Sequence, residues 1–265
     1  MTVKEQVWRE YHEWRGYAGN TVVGELRVLA QLWSSQLNNH RDIFVLLPPS
    51  YHRNTDRHYP VIYMHDGQNL FDRAMGFAGN EWEVDETLAR LAAENIEAIV
   101  VGIPNTDKRF QEYNPFPHVW GGNGEQYLAF MVDTLKPIID RDYRTLTDRD
   151  HTGTIGSSLG GLISLYAFFQ RSDIFGFAGV LSPAFWIGNG AIYPYVQQRP
   201  FVPGKIYLDN GTREQSARRM KQLLMDKGYS LKHDLVHVVE TDGEHNEAAW
   251  ARRLPDALRF LLKSA

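Results

Sequence analysis

The chain contains no cysteine. This absence excludes disulfide bonds, thiolate metal sites and a cysteine nucleophile. The chain also has no uninterrupted apolar run approaching the roughly 18 residues that suggest a membrane span. Its charged N-terminus, MTVKEQVWREYHEWRG, lacks the apolar segment of a signal peptide. We therefore expect a soluble, cytoplasmic protein that does not enter a membrane.

An excess of basic residues is absent as well. The chain has 28 Lys and Arg against 32 Asp and Glu, a net charge of −4, so we do not expect a nucleic-acid partner. Hydrophobic residues make up 43% and aromatic residues 12%, which favours a sizeable core over disorder. No linker or repeat interrupts the 265 residues, and we predict a single domain over residues 1–265.

The hydrophobic pattern predicts two leading strands, followed by alternating strands and helices. Such an order favours a mostly parallel central sheet of about eight strands with helices on both faces, an α/β fold. Residues 1–20 are predicted as a short helix or an arm over the sheet. The predicted strands cover 21–30, 41–47, 60–64, 96–103, 152–155, 175–181, 204–209 and 235–240. The predicted helices cover 83–93, 126–139, 162–168, 212–227 and 246–262.

The motif G-x-S-x-G occupies Gly156, Ser158 and Gly160 between a predicted strand and a predicted helix. A frame shifted to Ser157 lacks both glycines, so the motif selects one serine. In a nucleophile elbow the serine lies on a strained turn, and glycines two residues away let the backbone pass close. The helix N-terminus supplies N–H groups for an oxyanion. The alternative is an ordinary Gly/Ser turn.

A serine hydroxyl needs a base, and in an α/β-hydrolase sheet the chain order is Ser, acid, His. Three histidines follow Ser158. His237 lies inside a predicted strand, and His233 precedes that strand at the wrong edge of the sheet. His245 follows the strand in a glycine-containing loop, which suits a base. The alternative for His245 is an exposed loop histidine.

Two carboxylates follow the preceding strand, and the residues alone leave both open. Asp209 opens Asp-Asn-Gly, where an aspartate also shapes turns. Glu214 is predicted in the first turn of a helix capped by Thr212, with Gln215 completing a capping box. A glutamate there also favours the helix dipole without any catalytic role.

The oxyanion hole is predicted from two backbone N–H groups. One belongs to Leu159, directly after the serine, and the other to Gln68, in a loop where Gly67 permits close approach. His65 and Asp66 resemble metal ligands, but such residues more often stabilise a loop by hydrogen bonds. We therefore predict no metal and no other cofactor.

The loop over 105–124 is long for a compact domain, and such loops often line sites. We predict substrate contacts from Asn105, Arg109 and Tyr113 in this loop and from Trp186 after the next strand. Aromatic walls with one guanidinium suit a planar, polar or anionic group. The alternative is that the aromatic residues belong to the core and that Arg109 is solvated.

Several pieces of the chain together resemble the Putative esterase family of the α/β hydrolases. These pieces span nearly the whole chain in the family's order: VLLPPSY, YPVIYMHDGQNLFD, VGIPNTDKR with EYNP, TIGSSLGGL, VLSPAFW, LDNGTRE and GEHNEAAW. The resemblance implies the α/β-hydrolase fold, ester hydrolysis, Ser158 as nucleophile and His245 as base. The family's G-x-x-Asp/Glu piece, here ending at Glu214, implies that residue as the acid. The family includes feruloyl, acetyl-xylan and enterochelin-type siderophore esterases, and VGIPNTDKR and EYNP look most like the last.

The sequence therefore predicts a serine carboxylic ester hydrolase that acts on a small-molecule ester through an acyl-enzyme, and it leaves a homodimer open. One alternative is an acyltransferase, which partitioning between water and an acceptor alcohol would reveal. The other is a non-catalytic binding module that kept the fold. Labelling by a fluorophosphonate would argue against the latter.

Overall fold

A computed structural model describes residues 7–16 and 19–263. The strands within these ranges are β1 (Trp8–Glu10), β2 (Glu25–Ser34), β3 (Asn39–Leu47), β4 (Val61–His65), β5 (Ile99–Ile103), β6 (Thr152–Ser157), β7 (Phe177–Leu181), β8 (Lys205–Gly211) and β9 (Leu235–Glu240). The helices are α1 (Tyr11–Arg15), α2 (Val84–Leu91), α3 (Arg109–Glu112), α4 (Gly124–Ala129), α5 (Lys136–Asp142), α6 (Leu159–Gln170), α7 (Ile187–Gly190), α8 (Ile192–Gln198), α9 (Arg218–Lys227) and α10 (Glu247–Leu262).

All nine strands form one sheet in the order β1-β2-β3-β5-β4-β6-β7-β8-β9. The six strands from β5 to β9 in that order are parallel, whereas β1, β2 and β3 add antiparallel strands at one side. The predicted mostly parallel sheet is confirmed. The prediction of about eight strands did not include β1. This strand pairs with β2 and lies in the segment 1–20, which was predicted as a short helix or an arm. Three residues are too short a stretch to show an alternating pattern.

The sheet carries a hydrophobic core on each face. Along β4, Val61 and Tyr63 contact one core, while Ile62 and Met64 contact the other. All these residues are buried, as expected for parallel strands covered on both sides. Helices α2 and α10 cover the second core, and helices α4 to α6 cover the first. In the described part of the chain, no helix is both long and apolar enough to cross a membrane.

Two predicted helices differ from the structure. The helix predicted over 126–139 is longer: α4 and α5 are joined by a π-helical segment, Phe130–Leu135. The helix predicted from Thr212 begins only at Arg218, so the predicted capping box is wrong. Side chains satisfy the intervening backbone instead, because Asn210 accepts from the Ala217 N–H at 3.0 Å. Asn210 itself lies within β8 rather than in the predicted turn.

Strand β4 ends at a buried histidine. His65 Nδ1 lies 2.9 Å from the Tyr127 hydroxyl, and Nε2 lies 3.0 Å from Oγ1 of Thr154. Burial lowers the pKa of His65 from 6.5 to about 3. The folded protein therefore keeps this imidazole neutral at pH values where an exposed imidazole gains a proton.

This burial predicts a pH-dependent loss of stability. The unfolded chain protonates His65 below pH 6.5, whereas the folded chain does so only near pH 3. The free energy of unfolding should therefore fall by up to about 1.4 kcal/mol per pH unit as the pH drops through this window, and this contribution should be constant above it. Urea unfolding at pH 7.5 and 5.0 should show a smaller loss in His65→Gln than in the wild type. The exposed His58→Gln variant should lose as much as the wild type, and an equal loss in all three would contradict the assignment.

Candidate active site

The turn between β6 and α6 holds Ser158 in an unusual backbone conformation, with φ 56° and ψ −119°. A Cβ on Gly156 would lie 2.7 Å from the carbonyl carbon of Gly160 and 2.8 Å from Cδ2 of His65. Only glycine fits at this position. Ser158, two residues later, adopts the strained backbone conformation of the turn. Ser158 is half-buried, whereas Ser157 is 2% exposed.

The loops after β8 and β9 bring an acid and a histidine together at the carboxyl edge of the sheet. His245 Nδ1 lies 2.7 Å from Oε2 of Glu214. The Trp250 ring packs edge-on against the imidazole, with centroids 5.2 Å apart. Asn246 caps α10 by accepting from the Ala249 N–H at 3.0 Å, which fixes the chain directly after His245. Among the described residues, no hydrogen bond to the other imidazole nitrogen, Nε2, is found.

The two candidate acids have different surroundings. Burial favours a higher pKa for Glu214, but hydrogen bonds from His245, Ser182 and the Gly211 N–H outweigh it and lower the pKa. Glu214 therefore stays ionised beside the imidazole. Asp209 is fully buried, and this burial raises its pKa to about 7. Its Oδ1 accepts from the Ser182 N–H at 2.9 Å and lies 3.2 Å from Nη1 of Arg253, so these contacts do not involve His245.

A hub at Ser182, which sequence reasoning missed, holds the acid. Its hydroxyl donates to Oε1 of Glu214 at 2.7 Å and accepts from Trp250 Nε1 at 3.0 Å and Arg253 Nη2 at 2.9 Å. Trp250 and Arg253 are three residues apart and project from the same side of α10. The helix that follows the histidine therefore also braces the acid. A signal was present in VLSPAFW, where a serine directly follows a buried strand.

The predicted oxyanion donors lie at the start of α6 and in the turn after β4. Leu159 is the first residue of α6, where N–H groups have no intrahelical acceptor. Gln68 lies in a 3₁₀ turn, Gly67–Asn69, and its side-chain oxygen accepts from the Asn105 N–H at 3.0 Å. A Cβ on Gly67 would lie 2.6 Å from the backbone of Gly102, so glycine lets this turn lie against β5.

A cavity of about 470 Å³ lies over these loops, a size typical of small-molecule sites. Among its lining residues, the sequence had singled out Gln68, Asn105, Arg109, Ser158 and His245. It had not assigned substrate contacts to the others, which are Asp66, Asn69, Met75, Phe77, Ser157, Glu247 and Trp250. Most of these come from the loop after β4 and the start of α10.

The loop arginine is engaged within the protein. Arg109 Nε and Nη2 bind the two carboxylate oxygens of Asp66 at 2.7 and 2.8 Å, and Asn105 Nδ2 adds a bond of 2.6 Å. Arg109 thus lines the cavity as the partner of Asp66, and its contact with a substrate stays a prediction. Tyr113 is fully buried and its hydroxyl accepts from the Asp66 N–H, so it has no surface for a substrate. Trp186 is 54% exposed but does not line the cavity.

The residues considered as metal ligands have other partners. Both nitrogens of His65 and both carboxylate oxygens of Asp66 are hydrogen-bonded within the protein. Within the described ranges, one group of side chains could share a metal ion, namely Glu10, His12 and Glu13. None of these three lines the cavity.

The parallel sheet, the turn after β6 and the loops at the carboxyl edge of the sheet correspond to the α/β-hydrolase fold. The family model described as "Putative esterase" matches residues 34–261, and the chain belongs to this family. The protein is therefore an esterase, a carboxylic ester hydrolase. The predicted family and enzyme class are confirmed.

The chain is similar to several known proteins, each at low sequence identity. The uncharacterized protein YbbA of Bacillus subtilis is 24% identical over 84% of this chain and 92% of its own length. A ferulic acid esterase structure superposes with a TM-score of 0.71 at 22% identity, covering 89% of this chain and 98% of that chain. The enterobactin esterase of Shigella flexneri, solved in the presence of enterobactin, gives a TM-score of 0.72 at 22% identity, covering 91% of this chain and 60% of that chain.

The hub predicts that Ser182→Ala destabilises the fold. The substitution leaves the buried Trp250 and Arg253 donors without this acceptor, at a cost of about 1–3 kcal/mol in the free energy of unfolding. Chemical denaturation measures the change, and Ser35→Ala, an exposed serine, serves as the control. Equal small changes in the two variants would show that the hub does not brace the structure.

Proposed function

We propose that the protein hydrolyses small-molecule carboxylic esters with Ser158 as nucleophile, His245 as base and Glu214 as acid. The observation that carries the proposal is the 2.7 Å contact between His245 and Glu214 beside a cavity that also contains Ser158. A serine at a strained strand-to-helix turn, together with a histidine oriented by a buried carboxylate, is the arrangement of a serine hydrolase.

The reaction follows from these positions. The neutral imidazole takes the proton of Ser158 through Nε2 as the hydroxyl attacks the ester carbonyl. The N–H groups of Leu159 and Gln68 stabilise the oxyanion. His245 then protonates the departing alcohol, leaving an acyl group on Ser158. Water, deprotonated by the same imidazole, releases the acid.

Glu214 contributes orientation and charge. Its Oε2 accepts from Nδ1–H, which leaves Nε2 as the acceptor for the serine proton. Its lowered pKa keeps the carboxylate ionised, so it stabilises the imidazolium formed during attack. Ser182 and Arg253 hold the other oxygen, Oε1, and thereby fix the plane of the carboxylate.

The size of the cavity supports a substrate with a compact acyl or alcohol group. A volume of about 470 Å³ is at the lower end of drug-sized pockets. The walls include Met75, Phe77 and Trp250, which suit an aromatic or apolar portion. Aryl acetates and esters of aromatic acids are therefore the first substrates to assay.

The nucleophile assignment predicts a contrast between two adjacent serines. Ser158→Ala should lower kcat for an aryl acetate by on the order of a million-fold, because removal of the nucleophile disables the whole triad. Ser157→Ala should change kcat by less than about tenfold, since its side chain has no role in proton transfer. Active-site titration and steady-state kinetics measure both. Retained activity in Ser158→Ala would move the nucleophile elsewhere.

The acid assignment predicts a second contrast. Glu214→Gln preserves the shape of the side chain but removes the charge beside His245, and kcat should fall by on the order of ten-thousand-fold. Asp209→Asn is the matched control, because this carboxylate contacts Ser182 and Arg253 rather than the imidazole. The reverse ranking would transfer the role to Asp209, and two mild effects would indicate a Ser–His pair without an acid.

A further inference from the structure

The cavity contains one carboxylate with no cationic partner. The Asp66 carboxylate is paired with Arg109, and the Glu214 carboxylate is bound to His245 and Arg253. Glu247 also lines the cavity, and no ion pair to it is found within the described ranges. Its hydrogen-bond contact is a long one, 3.5 Å from Oε1 to Nδ2 of Asn69.

The position of Glu247 has two opposite effects on its negative charge. Glu247 is the first residue of α10, where the helix dipole favours a negative charge. It is only 9% exposed, however. Burial raises its pKa and the Asp66 charge adds to the rise, while a hydrogen bond from its own backbone N–H and the charges of His245 and Arg109 act in the opposite direction. The carboxylate is thus desolvated without full compensation, and a cation in the cavity would compensate it.

The neighbouring walls favour the same kind of ligand. Phe77 is 71% exposed, a large value for an aromatic side chain, and it lines the cavity together with Trp250. A cation near an aromatic face gains from the ring quadrupole as well as from a carboxylate. The one guanidinium in the wall offers no counterweight for an anion, since both Nε and Nη2 of Arg109 bind Asp66.

We infer that Glu247 makes this esterase selective for esters that carry a positively charged group, and that it disfavours anionic esters. The inference rests on the proposed function, because it assigns the substrate class of the same cavity. It places the ammonium group of the substrate between the Glu247 carboxylate and the aromatic wall, with the ester carbonyl at Ser158.

Two matched series of esters test the inference. The first varies the leaving group: acetylthiocholine, its neutral isostere S-(3,3-dimethylbutyl) thioacetate, and the S-acetyl derivative of 3-mercaptopropionate. Released thiol is measured with Ellman's reagent, which gives no background from a chain without cysteine. The second varies the acyl chain: 4-nitrophenyl esters of 4-(trimethylammonio)butanoic, 5,5-dimethylhexanoic and glutaric acids.

The wild type should show the order cation, neutral, anion in kcat/KM in at least one series. In that series Glu247→Gln should lower kcat/KM for the cation by about three- to tenfold, raise it for the anion by a similar factor, and leave the neutral ester unchanged. Glu247→Asp keeps the charge and should keep the order. Glu244→Gln, an exposed acid outside the cavity, should behave as the wild type.

Two results would overturn the inference. One is the absence of a cation preference in both series, and the other is an equal effect of Glu247→Gln on all three charges, which would mean that Glu247 acts on His245 instead. Failure of the proposed function looks different. If Ser158→Ala hydrolyses these esters with the wild-type charge order, the nucleophile is wrong while the selectivity stands.

Discussion

The close approach of Gly156 and Gly160 at the elbow is the constraint on which the site depends. With 2.7 Å between a hypothetical Cβ and the facing carbonyl carbon, no side chain fits at Gly156, and the intervening Ser158 is forced into a strained conformation. The ring of His65 packs against both glycines from the neighbouring strand, and its hydrogen bonds to Tyr127 and Thr154 hold it there. The geometry of the serine is therefore fixed by the centre of the sheet.

Helix α10 supplies the complementary half of the site. Its N-cap fixes the chain beside His245, Trp250 packs on the imidazole, and Arg253 and Trp250 meet at the Ser182 hydroxyl that holds Glu214. Glu247 adds a charge to the cavity from the first turn of the same helix. One helix thus positions the proposed base, braces the proposed acid and adds a negative charge to the cavity. This concentration of roles explains why the proposed base and acid, which are 31 residues apart in sequence, lie in contact.

Much of this arrangement could be predicted from the sequence, because its signals are local. A G-x-S-x-G motif between a β-branched stretch and an apolar stretch predicts a strand-to-helix turn. Short apolar runs predict that strands β4, β5 and β7 are buried on both faces. The order of serine, acid and histidine then restricted the base to a loop after the last strand. The choice of Glu214 needed the family's motif, since the residues alone left Asp209 equal.

The parts that could not be predicted depend on contacts between distant segments. Tyr113 and Arg109 read as aromatic and basic residues of a binding loop, but the buried Tyr113 hydroxyl accepts from the Asp66 N–H, and Arg109 is paired with the Asp66 carboxylate. Ser182 directly follows a buried strand, but this position alone does not distinguish it from an ordinary loop serine. The start of α9 was misplaced because the Asn210 side chain satisfies the Ala217 N–H in place of a helical bond. In each case a contact outside the local sequence pattern decided the outcome.

We propose that the strained turn presents one reactive serine to the cavity. Reaction with a fluorophosphonate, followed by intact-mass measurement and peptide mapping, tests it most directly. A single adduct located on Ser158 is the expected result. An adduct on Ser157 or on another residue, or none in a protein that hydrolyses esters, would contradict the account.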